Sequence, residues 1–124
     1  MKKLKEYQVY DEQFKQMIYL LVGDAEEAQK YIMKIEGASE IPNNVKQMFL
    51  ESEGMCIHCN GRIVIWMLEF TPSADSISIL VHEILHGLSY RASRCHTSSS
   101  LTHDNIYWIE MLVRRFLKQV MTKK

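Results

Sequence analysis

The sequence predicts an α+β fold in which a small antiparallel sheet packs on helices around one central helix. Three observations carry that expectation. Residues 55–59 and 62–68 flank Asn60-Gly61, the dipeptide favoured in two-residue hairpin turns. Several other stretches repeat apolar residues at helical spacing. Between them, Leu80, Val81, Ile84, Leu85 and Leu88 form one apolar stripe on a helix that also holds polar His82, Glu83 and His86.

In chain order, Tyr7, Val9 and Tyr10 suit a short first strand. Asp11 then caps an expected helix in which Phe14, Met17, Ile18 and Leu21 hold the i, i+3, i+4, i+7 spacing. Gly23 ends it. Asp24, with Glu27 three residues on, opens a second helix through Ala28, Tyr31, Ile32 and Ile35, which Gly37 ends. Residues 38–44 read as a loop, and periodicity leaves 45–50 open between strand and helical turn. Ile63, Val64, Ile65 and Trp66 make the nearly continuous apolar run of an inner strand. Thr71-Pro72-Ser73 marks the start of the central helix, which is expected to reach Tyr90 or Ala92. The Ser-rich stretch 91–102 reads as a loop. A last helix over 104–120 turns Ile106, Ile109, Val113, Phe116, Leu117 and Val120 inward.

The chain has 124 residues, which suits one domain over 1–124. Its formal net charge is zero and 47% of its residues are apolar, the balance of a folded globular chain. No basic excess argues for nucleic acid as an obligatory partner, and no segment approaches the ~20 apolar residues of a membrane span. The basic N-terminus lacks the apolar run of a signal peptide. Three cysteines, an odd number, make the reducing cytoplasm the expected compartment. Cys56-x-x-Cys59 invites a structural metal, but strand residues three apart point to opposite faces and no second ligand pair has finger spacing. Arg114, Arg115, Lys118, Lys123 and Lys124 read as a solvated helix face and C-terminus.

His82-Glu83-x-x-His86 carries the chemistry. On a helix, His82 and His86 lie one turn apart on one face and can reach a single ion, typically zinc. At about 100° per residue both fall opposite the apolar stripe, which argues against core histidines and leaves a metal-free exposed pair as the plain alternative. Glu83, offset around the helix, is placed to meet a metal-bound water. A catalytic zinc site uses three protein ligands, and His96, His103, Asp104 and Glu110 are the downstream candidates. His96 needs a sharp return of the loop, and Asp104 is explained as a helix-start residue. His103 and Glu110, seven residues apart, both stay open on geometry.

The segments Gly61 to Trp66, Leu80 to Gly87 and His103 to Leu112 resemble small zincin-like metallopeptidases. The SprT-like family has a strand before HExxH and a third His opening a later helix, and His103-Asp104-Asn105-Ile106-Tyr107-Trp108 looks like that segment. Short zincin-like proteins of phage and mobile elements place an acidic ligand four residues before a Tyr in a similar helix, a slot that His103 would fill. Both resemblances imply His103 as the third ligand, whereas a gluzincin-like pattern implies Glu110. The chain lacks the Cys-rich C-terminal module of many SprT-like proteins, so a DNA-associated role does not carry over.

The resulting expectation is a zinc metallopeptidase acting on a peptide or protein substrate. His82, His86 and His103 hold Zn2+, with Glu110 as the alternative third ligand, and Glu83 is the general base. Tyr90, Tyr107 and His96 are candidates to steady the oxyanion. The rival expectation is an inactive zincin-like module that binds a protein and keeps zinc structurally. Nothing in the sequence sets the oligomeric state.

Overall fold

Two strands, β1 (Lys5–Asp11) and β2 (Gln16–Val22), open the chain as an antiparallel pair, with Lys5 opposite Val22 and Asp11 opposite Gln16. There follow α1 (Ala25–Glu36), α2 (Asn43–Glu51), β3 (Gly54–Cys59), β4 (Arg62–Met67), α3 (Ala74–Cys95) and α4 (His103–Thr122). A computed structural model describes residues 4–12, 15–37, 40–59, 62–95 and 103–122, except for the side chains of 59, 90–95 and 103. The Asn60-Gly61 turn therefore lies outside the described residues, but Cys59 pairs with Arg62 across it and β3 runs antiparallel to β4.

The fold is α+β, with one correction to the sheet. Its order is β1-β2-β4-β3, and β2 runs parallel to β4. The sheet is thus mixed, because the chain between β2 and β4 crosses over through α1, α2 and β3 instead of returning by a tight turn.

A second correction concerns residues 16–22, expected as helix and found as β2. Met17 to Val22 is an unbroken apolar run, and such runs fit a strand covered on both faces as well as a helix. Ile18 and Leu20 face one layer of helices and Leu21 the other. Phe14, part of the expected helix, lies outside the described residues.

Helices cover both faces of the sheet. On one side α1 and α2 bring Ala28, Ile32 and Phe49 against Leu21, Met55, Val64 and Trp66. On the other, α3 and α4 bring Leu80, Ile84, Leu88, Trp108, Leu112 and Phe116 against Ile18, Leu20, Ile63, Ile65 and Met67. Alternate residues of the inner strands β2 and β4 therefore serve two cores, which explains why neither strand alternates with polar residues.

The helix ends follow their local chemistry. Gly37 caps α1 in the left-handed region, φ 69°, which glycine adopts without strain. Asp24 precedes α1 but makes no side-chain cap bond. Residues 43–51 resolve as helix, burying Phe49 against Trp66 with ring centroids 5.0 Å apart. In α4 the inward face is Asn105, Trp108, Leu112 and Phe116. Ile106, expected inward, is exposed, and Ile109, Val113, Leu117 and Val120 are half-buried. Trp108 draws the helix round: its Nε1 donates to Asp11 Oδ2 at 3.0 Å, and Gln16 Nε2 donates to the same oxygen at 3.2 Å.

No described helix is long and apolar enough to cross a membrane.

Candidate metal centre

The motif helix α3 is started by Ser73, whose Oγ accepts from Ser76 N–H at 3.3 Å while its carbonyl accepts from Ile77 N–H at 3.0 Å. Ser76 Oγ in turn accepts from Thr71 N–H at 3.1 Å, so the turn before the helix is tied to its first turn. Leu80, Ile84 and Leu88 then recur at four-residue spacing and are buried against the sheet. That anchoring sets the azimuth of everything else on the helix.

His82 and His86 stand on the outward side, both exposed. Their Nε2 atoms are 3.2 Å apart, with the rings edge to face at a centroid separation of 4.8 Å. Two imidazole nitrogens on one tetrahedral zinc, each at about 2.0–2.1 Å, lie about 3.3–3.4 Å from one another. The pair therefore fits joint ligation with almost no adjustment. One ring donating Nε2–H to the other gives the same separation, and zinc binding distinguishes the two states.

Glu83 takes a different direction. It is 6% exposed and lies on the flank of α3 that faces β3. Burial pushes its carboxyl above the ordinary glutamate range, while the adjacent His82 and His86 pull it back down. A raised pKa makes the carboxylate a stronger base once it is ionised. Ser52, Glu53, Gly54, Ser78, Ile79, His82 and Glu83 line an open groove of about 440 Å³ between α3 and the start of β3. Among the residues facing it are thus one imidazole of the pair and the buried carboxyl.

α4 begins at His103, whose side chain lies outside the described residues. His96 and the side chain of Tyr90 lie outside them too. Glu110 is exposed on the outer face of α4 and pairs with Arg114, one turn on. Among the described residues no three His, Cys, Asp or Glu side chains converge on one point, so Glu110 is not brought to His82 and His86. Asp104 is exposed in the first turn of α4, in keeping with a helix-start role. Tyr107, 67% exposed, lies on the outward side of α4.

Cys56 is half-buried beneath α3, where burial first and the charge of Glu83 second push its thiol up to about 12. In the absence of a metal such a thiol stays protonated at neutral pH. The side chain of Cys59 lies outside the described residues.

Two features escaped the sequence reading: the burial of Glu83 and the strand that it faces. The first had a signal, since Glu83 lies between the apolar stripe and the histidine face. The second depends on β3 being at the sheet's edge, a long-range pairing that local pattern does not encode. No protein family, curated protein or solved structure matches the chain.

Proposed function

We propose that this chain is a zinc-dependent metallopeptidase of zincin-like architecture. The observation that carries the proposal is the 3.2 Å convergence of His82 and His86 Nε2, with His82 and the buried Glu83 carboxyl lining one groove. His82 and His86 would hold the metal together with His103, the residue at which α4 begins. When bound, zinc supplies a water of pKa near 7 and a Lewis acid for the scissile carbonyl. Glu83 accepts a proton from the attacking water and returns it to the departing amine, so one water is added across one amide bond.

The sheet supports an extended peptide as the substrate. Leu68 N–H donates to Glu53 O at 3.0 Å, which fixes the phase of the ladder. Residues 53, 55 and 57 then bond to β4, and the main-chain groups of Gly54 and Cys56 point away from it. The opposite edge is covered. Gln119 of α4 bonds both main-chain groups of Gln8, accepting from N–H at 3.2 Å and donating to O at 2.6 Å, and Arg115 donates to Tyr10 O at 3.3 Å. A peptide strand adding to β3 lies beside Glu83 and gains main-chain hydrogen bonds without regard to its side chains.

The test is cleavage of unfolded casein by zinc-loaded wild type and Glu83→Gln. The expected loss on substitution is about 100- to 10,000-fold, the usual contribution of a general base, with zinc content retained. Equal cleavage by both proteins, or none by either, refutes the peptidase reading. Stoichiometric zinc without turnover supports the inactive binding module instead.

A further inference from the structure

We propose that Gly54 is a positioning residue for Glu83, holding α3 against the edge strand so that the carboxylate stands over the peptide groove. The proposal rests on the peptidase reading and adds to it a residue outside the HExxH motif. Gly54 is the first residue of β3 and pairs with Met67. A Cβ built there would come 2.7 Å from Ile79 Cγ2, 3.3 Å from the Trp66 carbonyl and 3.4 Å from Glu83 Oε2. Gly54 is not among the positive-φ glycines, so space, not backbone conformation, calls for glycine here.

Each neighbour contributes differently to that constraint. The Trp66 carbonyl belongs to β4, in the interior of the sheet, and cannot retreat. Cγ2 of Ile79 branches directly from Cβ, so it moves only with the helix or by a change of χ1. Ile79 and Glu83 are one helical turn apart on the same flank, and both line the groove with Gly54. Bringing the 2.7 Å approach out to an ordinary contact of 3.4 Å shifts α3 from β3 by about 0.7 Å. Glu83 travels with it, away from any peptide bonded to the strand. His82 and His86 move together on the outward side, so their mutual spacing is kept.

The experiment compares Gly54→Ala, Ile79→Ala and the double variant in the full chain. Ile79→Ala removes the atom that the new Cβ would strike. For zinc-loaded Gly54→Ala on unfolded casein, kcat is expected to fall roughly 10- to 100-fold, as a sub-ångström to ångström misplacement does, with KM and zinc affinity changed less than about threefold. The double variant is expected to recover kcat to within about threefold of Ile79→Ala alone, and Gly54→Val in that background to lose it again. Alkylation of Cys56 in the metal-free protein reads the same spacing without activity, because its Sγ lies under α3, 3.6 Å from where a Cβ on Gly87 would be. It is expected to quicken in Gly54→Ala and slow again in the double variant. A wild type that cleaves and a Gly54→Ala that cleaves equally well overturn the role of Gly54 alone. A loss of kcat that Ile79→Ala does not rescue overturns it too. Absence of cleavage by wild type removes the peptidase reading and the positioning role together, whatever the thiol reports.

Discussion

Replacing His82 and His86 together by Ala separates the proposed metal site from the fold that carries it. Both imidazoles are exposed on the side of α3 opposite Leu80, Ile84 and Leu88, so truncation removes no core contact. Surface changes of this kind alter stability by about 0.5 kcal/mol at most, and Ala is the stronger helix former. For 124 residues, an unfolding entropy of ~2.1 cal/mol/K per residue converts 0.5 kcal/mol into about 2 °C. The metal-free variant should therefore melt within about 2 °C of the wild type. Zinc at about one hundred times its dissociation constant stabilises the native state by about 2.7 kcal/mol, a rise of roughly 10 °C on the same conversion. Differential scanning calorimetry in chelator and in zinc measures both quantities. The wild type should show the full rise and the double variant less than a quarter of it. A zinc-dependent rise of equal size in the variant, or none in the wild type at millimolar zinc, refutes the assignment of these histidines.

Two further outcomes follow from the groups around the motif helix. With its thiol pushed up by burial and by Glu83, Cys56 should react with iodoacetamide at pH 8 at least about tenfold more slowly in the native protein than in urea, as read by peptide mass spectrometry. Comparable rates in the two states would contradict its burial against Glu83. Trp108→Phe removes the indole N–H that Asp11 accepts at 3.0 Å and should cost about 2–3 kcal/mol in urea unfolding, the scale of a buried bond to a carboxylate. A cost below about 0.5 kcal/mol would show that this bond does not fix α4.

How much of this was legible in the sequence depended on whether a pattern had one structural meaning. Of the expected stripe, Leu80, Ile84 and Leu88 are buried while Val81 is half-buried and Leu85 exposed, so the buried face is turned towards Glu83, yet His82 and His86 stand in solvent as expected. The run Ile63 to Trp66 had one meaning, because a short β-branched run after Asn-Gly has few alternatives. Met17 to Val22 had two meanings. Its helical spacing was accidental to an apolar run that both helical layers cover, and only the parallel pairing with β4 decides the matter. In α4 the expected stripe was rotated because Trp108 and Asn105 are polar by one measure and buried by another. The bond from Trp108 to Asp11, 97 positions away, sets that rotation and leaves no local trace. The histidine pair was legible as a spacing, whereas the groove beside it required knowing which strand ends the sheet.

The two edges of that sheet differ in what lies against their outward main-chain groups, and on the proposed function that difference selects the side on which a peptide adds. An exposed strand edge attracts other strands, and proteins restrain it where pairing is unwanted. At β1 the restraint is polar: Gln119 and Arg115 reach from α4 and occupy outward main-chain groups at Gln8 and Tyr10. At β3 the main-chain groups of Gly54 and Cys56 point away from β4, towards the outer edge. Glycine stands on both sides where α3 meets the sheet, Gly54 on the strand and Gly87 on the helix, where a Cβ would meet Ile63 Cγ2 at 3.3 Å and Cys56 Sγ at 3.6 Å. A larger residue at Gly54 would hold α3 off the edge strand, and one at Gly87 would press the helix against Ile63 of β4, while the His-Glu-x-x-His spacing stays intact. On the proposed function, the motif supplies the metal ligands, whereas the spacing between Glu83 and β3 is set by residues outside it.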